Sequence, residues 1–260
     1  MFHYLKHKQL NAMKKYLLLL FLSIAAHGVY AQETISPAPP QEKPVYLTHA
    51  TIHVGNGQVI TDGTIAFSKG KITAVGNNVP AAGGDATVLD LKGQHVYPGI
   101  IAPETNLGLV EFESVRAMVD AREVGEMNPS VRSIVAYNAD SKIINTLRSN
   151  GILLAQVTPE GGIISGTSSV VQLDAWNWED AAYKTDNDLH FFMPRLVPVN
   201  TGRGPASNDR MKAAMEQIES VRAFFREAKA YQQETKHPAT NLKFESMRSL
   251  FTKEQKLFIH

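Results

Sequence analysis

From Val45 onward the apolar positions come in short β-favouring runs cut by turn residues: Val45 to Val54, then Gly55-Asn56-Gly57; Gln58 to Ile60, then Asp62-Gly63; Thr64 to Phe67, then Lys69-Gly70; and Lys71 to Val75. Runs of that length between Asn-Gly and Asp-Gly punctuation predict antiparallel strands joined by tight turns. Pro80 to Gly84 interrupts the pattern, Val88 to Leu91 resumes it, and Lys92-Gly93 turns the chain into Gln94 to Ile101, a buried-strand candidate containing Pro98-Gly99. Residues 45–93 are therefore read as a small β-sandwich unit.

Beyond that unit the apolar period lengthens. Ile143, Ile144 and Leu147 form a helical stripe that Asp140 can cap and Asn150-Gly151 stops, and Ile152 to Thr158 then runs as a nearly continuous apolar strand. Ser169 to Leu173 predicts another strand. Ser207 opens the longest helix, with Met211, Met215, Ile218, Arg222 and Phe225 on its inner face, Arg222 reaching outward from it, and His237-Pro238 at its end. A shorter helix with Leu242, Met247, Leu250 and Phe251 precedes a strand candidate, Lys256 to Ile259. Alternation of this kind predicts parallel β/α construction across 94–260, so the fold class is α/β, a β-sandwich unit followed by a partial (β/α)8 barrel.

The first 44 residues lack either pattern. Lys14 and Lys15 precede the apolar run Tyr16 to Ala26, and Val29-Tyr30-Ala31 ends in small residues, which describes a signal peptide over 1–31 cleaved after Ala31. The apolar run is too short for a permanent membrane anchor. Either Met1 or Met13 serves as the start. Gln32 to Pro44, with four prolines and no apolar period, is read as a linker. A periplasmic or secreted location is expected, with a mature chain made mildly acidic by the loss of Lys6, Lys8, Lys14 and Lys15.

Over its 260 residues the chain balances 26 Lys and Arg against 25 Asp and Glu, which leaves no basic field for nucleic acid. It has no cysteine, so disulfides, thiolate metal sites and Cys nucleophiles are excluded. Any metal needs His, carboxylate or amide ligands.

Three stretches resemble the amidohydrolase superfamily, in particular its exported members related to imidazolonepropionase. They are Ala50-Thr51-Ile52-His53-Val54-Gly55-Asn56-Gly57 with Asp62-Gly63-Thr64-Ile65, then Gly70-Lys71-Ile72-Thr73-Ala74-Val75-Gly76, and Asp90-Leu91-Lys92-Gly93-Gln94-His95-Val96-Tyr97-Pro98-Gly99-Ile100-Ile101. The resemblance, which covers Val45 to His260, implies a sandwich beside a metal-binding barrel that hydrolyses C–N bonds of small amides or peptide-like substrates through metal-activated water. Such relatives carry Ile-Asp-x-His-x-His after the Pro-Gly, where this chain has Ile101-Ala102-Pro103-Glu104-Thr105-Asn106. The resemblance thus maps Glu104, Asn106 and His260 onto metal-ligand positions. Strand alternation puts Glu104 and Asn106 on one side, and oxygen donors there favour magnesium, manganese or calcium over the zinc of relatives. A second single His and a late Asp have no counterpart. About 170 residues follow Gly93 against about 250 for a whole barrel, so half a barrel is expected.

Other constellations compete. Gly161-Gly162-Ile163-Ile164-Ser165-Gly166-Thr167-Ser168 has P-loop spacing but Thr167 in place of the phosphate-binding Lys, and it is read as a tight loop whose Gly161, Gly162, Ser165, Thr167 and Ser168 contact substrate. Glu111, Glu113, Asp120, Glu123 and Glu126 form an acidic cluster, read as solvated surface. His49 and His53, sharing a strand face, and His95 and His190 are read as ordinary histidines. Trp176, Trp178 and Tyr183 offer a sugar platform or, more simply, packing aromatics.

The leading expectation is an exported metal-dependent amidohydrolase. The alternatives are a degenerate barrel that binds a ligand or partner chain, and a truncated product that needs the missing half of the barrel or a homo-oligomer.

Overall fold

Alternation of apolar and polar residues over Val45–His53 makes β1, which buries Ala50 and Ile52 and leaves its intervening side chains outward. The computed structural model describes residues 37–80, 83–196, 207–236 and 239–260, with no side-chain description of residues 207 and 208. The expected signal peptide, the first part of the expected linker and His237-Pro238 lie outside these residues. Among the described residues no helix is long and apolar enough to cross a membrane.

The first sheet has the order β3-β2-β1-β4, where β2 is Val59–Ser68, β3 Lys71–Gly76 and β4 Thr87–Asp90, while the short β5, His95–Val96, also pairs with β1. β1, β2 and β3 form antiparallel hairpins, as expected. β4 and β5 instead run parallel to β1. Asp62-Gly63 is not a turn either. It lies inside β2, where a side chain on Gly63 would meet Ile52 Cδ1 at 2.6 Å, so this glycine admits Ile52 to the core with Ile65.

Gln94 to Ile101 is not one buried strand. Tyr97-Pro98-Gly99 separates β5 from β6, Ile100–Thr105, and β6 is an edge strand of the second sheet with Ile100 and Ile101 more than half exposed. Proline has no N–H for a ladder, which suits a junction between sheets.

The second sheet has the order β10-β9-β8-β7-β6, with β7 Ile152–Val157, β8 Ile164–Gln172, β9 Ala182–Phe191 and β10 Lys256–Ile259. β6 is parallel to β7 and β9 to β10, but β8 is antiparallel to both neighbours. The connections flanking β8, 158–163 and 173–181, are too short for the crossover that parallel strands need, so a β-hairpin pair enters the β/α series. Strands β6, β7, β9 and β10 still point the same way. The curved sheet is a partial barrel, and their carboxyl ends, Thr105, Val157, Phe191 and Ile259, share one rim.

Six helices accompany the sheets among the described residues: α1 Ser133–Ala136, α2 Lys142–Ser149, α3 Trp178–Ala181, α4 Ser207–Gln233, α5 Leu242–Glu245 and α6 Arg248–Phe251. Ser141, not Asp140, holds the N-cap position of α2, although its hydroxyl donates to Glu111 Oε2 at 3.0 Å rather than to the helix. Ile144 packs into the core over β7 with Ala155, Val157 and Val171. The inner seam of α4 is Ala214, Ile218, Val221, Phe225 and Ala228, a strict heptad alternation, while Met211 and Met215 are exposed. Arg222 points outward and pairs with Glu219 at 2.6 Å. This seam covers β8 and β9 through Ile163, Ile164, Leu189 and Phe191.

Candidate functional site

A cleft of about 480 Å³ opens at the common rim of the parallel strands, lined by Glu104, Thr105, Arg122, Thr158, Glu160, Gly161, Gly162, Phe192 and His260. Each strand contributes at or just past its carboxyl end: Glu104 and Thr105 from β6, Thr158 from β7, Phe192 from β9 and His260 from β10. Ligand sites gather at this end of parallel sheets because the connecting loops there are free of strand pairing.

Glu104 sits in β6 with φ +46, a left-handed conformation rarely adopted by a non-glycine residue. The ladder to β7 slips between Ala102 and Thr105, so simple alternation fails there. Glu104 Oε2 faces His260 Nδ1 at 3.9 Å. Asn106 lies past the strand end, with Nδ2 donating to Glu160 Oε1 at 3.4 Å. The structure thus brings Glu104 and His260 together and turns Asn106 onto the wall.

The backbone places His260 firmly. Its N–H donates to Phe191 O at 2.9 Å, its carbonyl accepts from Met193 N–H at 3.2 Å, and its ring stacks on Phe192 with centroids 4.1 Å apart. Behind it His190, on β9 and fully buried, places Nδ1 2.9 Å from His260 Nε2. Burial, assisted by the neighbouring His260, pushes the His190 pKa down to about 4, so the ring is neutral. His190 Nε2 is buried without a hydrogen-bond partner among the described residues. The sequence offered no signal for His190 beyond an ordinary core histidine; only the β9–β10 register, Phe258 opposite His190, brings it behind His260.

On the other wall Arg122 pairs with Glu160 at 3.3 Å. Thr158 is buried in this wall, and its hydroxyl is sealed from solvent with no partner among the described residues. Gly161 and Gly162 both have positive φ; a side chain on Gly162 would meet Gly125 O at 2.7 Å, so that glycine serves close backbone packing.

The expected substrate loop is shorter than its sequence suggested. Ser165, Thr167 and Ser168 belong to β8 and are buried, not looped out over the cleft. Thr167 Oγ1 lies 3.2 Å from Val131 O and 3.1 Å from Asp186 Oδ1, either of which can accept its one proton, and Asp186 also accepts from Nε and an NH2 group of Arg132. Ser168 joins Gln156 and the backbone of Asp188, while the Ser165 hydroxyl is buried without a partner. Small polar residues in a glycine-rich run read as loop, yet here they fit a strand packed against Val131 and α1.

The remaining candidates lie elsewhere. Glu111 accepts from Asn138 and Ser141, while Glu113, Asp120, Glu123 and Glu126 are exposed. His49, with φ +51, leaves the His53 face and pairs with Asp90 at 3.0 Å; the hydrogen bond from the Lys92 N–H, followed by that from His49, holds the Asp90 carboxyl below its usual range. His53 contacts His95 at 2.8 Å and stacks on Tyr97. Trp176, Trp178 and Tyr183 are exposed and do not line the cleft.

No family profile matches the chain, and no curated protein matches it. Among solved structures, an amidohydrolase from Thermotoga maritima MSB8 superposes with a TM-score of 0.69 over 83% of this chain at 20% sequence identity. The chain has the fold of an amidohydrolase. It spans 57% of the length of that Thermotoga amidohydrolase. A putative prolidase from Bifidobacterium longum shares 30% identity over only 26% of this chain and 18% of its own, with a TM-score of 0.24.

Amidohydrolase resemblance implies a divalent ion, which needs a set of converging donors. Among the described residues no three His, Asp or Glu side chains lie close enough together to hold a metal. Glu104 and His260 supply two donors, whereas catalytic zinc sites take three from protein. Asn106, the third expected ligand, is engaged with Glu160. The residues present do not fit the ion.

Proposed function

We propose that the chain is an amidohydrolase-superfamily hydrolase that binds a small amide or peptide-like molecule in the rim cleft and hydrolyses its C–N bond. The observation that carries the reading is the convergence of Glu104, Thr158 and His260 at the carboxyl ends of three parallel strands of this fold. The gap of 3.9 Å between Glu104 and His260 is wider than a hydrogen bond and suits one bridging water. Glu104 takes the proton of that water as its oxygen attacks the substrate carbonyl carbon and returns it to the nitrogen that leaves as the C–N bond breaks, His260 orients the water, and Phe192 gives an apolar wall. Arg122, paired with Glu160, stands where a substrate carboxylate would be met. The test is a mass-spectrometric screen of cyclic amides, ureides and N-acyl amino acids with the full chain and Glu104→Gln. Turnover lost in the variant supports the reading; unchanged turnover removes Glu104 from it.

The two-donor set favours a second reading, a cleft that binds the same class of molecule without hydrolysing it. A ligand that raises the melting temperature with no product formed would select it.

We further propose export to the periplasm or beyond, with cleavage after Ala31, which a mature mass beginning at Gln32 would support. The open edges of β6 and β10 suit pairing with further β/α polypeptide or a second copy of the chain.

A further inference from the structure

We propose that His190 is a positioning residue that fixes the tautomer of His260, so that His260 presents an Nδ1–H donor to the cleft beside the Glu104 carboxylate. The inference concerns the ring chemistry of the proposed site and rests on the reading of that cleft as the ligand site. The geometry restricts the protons closely. His190 is fully buried on β9, its Nδ1 lies 2.9 Å from His260 Nε2, and its Nε2 has no partner among the described residues. A neutral imidazole carries one proton, and two arrangements are open. With the proton on Nε2, His190 would bury an unsatisfied N–H donor; with the proton on Nδ1, it donates to His260 and leaves only a bare acceptor in the apolar interior. Orphaned buried N–H groups are the rarer kind, so the proton belongs on Nδ1.

The consequence passes to the second ring. His260 Nε2 then accepts, and a neutral His260 must carry its own proton on Nδ1, the atom that faces Glu104 Oε2 across 3.9 Å. The contact with His190 also fixes the ring orientation, because turning the ring over would put a carbon where Nε2 meets His190 Nδ1. An occupant of the gap therefore meets a donor from His260 and an acceptor from Glu104. Imidazole in water favours the opposite tautomer, with the proton on Nε2, so the arrangement has to be imposed by the fold.

The test is nitrogen-resolved NMR of the histidine rings in the full chain at neutral to mildly alkaline pH, which reports protonation of each ring nitrogen without any substrate. The expected wild-type signature for His260 is protonated Nδ1 and bare Nε2. His190→Phe, which keeps the ring and removes the donor, should shift His260 to the Nε2–H form, and His190→Asn, whose amide N–H occupies the place of Nδ1, should restore it. A wild-type His260 in the Nε2–H form, or one unmoved by His190→Phe, would overturn the proposal. Should His190→Phe fail to fold, the wild-type and Asn spectra decide. Absence of hydrolysis would sink the proposed function while leaving this result standing.

Discussion

His190 and His260 share a hydrogen bond of 2.9 Å although 70 residues separate them, because β9 and β10 pair in parallel with Phe258 beside His190. One ring is sealed in the interior and the other lines the cleft, so a buried neutral group is coupled directly to the functional surface. The solvent-facing neighbour of this pair is Glu104.

The buried ring makes stability depend on acid. The His190 pKa is about 4 in the folded chain against an ordinary 6.5, so below pH 6.5 the unfolded chain binds a proton that the folded chain refuses. Stability contributed by this residue is fully present above pH 6.5 and is lost as pH falls toward 4, by roughly 3 kcal/mol over the whole window. Urea unfolding at pH 7 and pH 4.5 should show the loss in wild type and a smaller one in His190→Phe. Equal losses in both would assign the acid sensitivity to other groups.

Glu104→Gln should leave the fold intact, since the side chain is partly exposed and its 3.9 Å contact with His260 is longer than a hydrogen bond. The expected change in stability is within about 0.5 kcal/mol. If Glu104 takes the water proton, turnover of any substrate found should fall by about 100-fold or more, with substrate affinity little changed. A parallel loss of stability would mean that the residue is structural.

Much of the frame could be read along the chain, and the failures have physical causes. Ile152 to Val157 and Lys256 to Ile259 announce strands because apolar runs bounded by glycine, turns or charge have few other uses. The first half of β8 was hidden because Ser165, Gly166, Thr167 and Ser168 carry small polar side chains or none, and their burial depends on Val131, Asp186 and Asp188. The α4 seam was hidden for a related reason: Ala214 and Ala228 are too small to mark a face, while the larger Met211 and Met215 drew attention and stayed outside. At the cleft, alternation pointed to Glu104 and Asn106 together, and the positive φ of Glu104 parts them. His190 became visible only through the strand register.

Gly166 tests whether β8 is a covered strand rather than a mobile loop. Its φ is +127, and a Cβ there would stand 2.5 Å from Val131 O, a backbone atom that already accepts from the Thr167 N–H. Gly166→Ala should destabilise the chain by about 2–4 kcal/mol through strain and lost hydrogen bonding. Gly161→Ala meets only the Arg122 side chain, at 3.3 Å, and should cost less despite its own positive φ. Equal and small effects by thermal unfolding would place residues 161–168 back in a loop.

The metal question separates the fold from the chemistry. An ion bound in the cleft would stabilise the folded chain in proportion to its affinity, so its removal should lower the melting temperature. Glu104 and His260 provide two donors, and no group of three His, Asp or Glu gathers among the described residues. Chelator dialysis followed by thermal unfolding should therefore leave the melting temperature of this chain unchanged, and elemental analysis should find less than one divalent ion per chain. A drop of several degrees reversed by zinc or manganese would show that the cleft gains a further ligand. Repeating the measurement with Glu104→Gln and His260→Ala would then locate it, because loss of either real ligand abolishes the metal-dependent shift, whereas an ion held elsewhere leaves the shift in both variants.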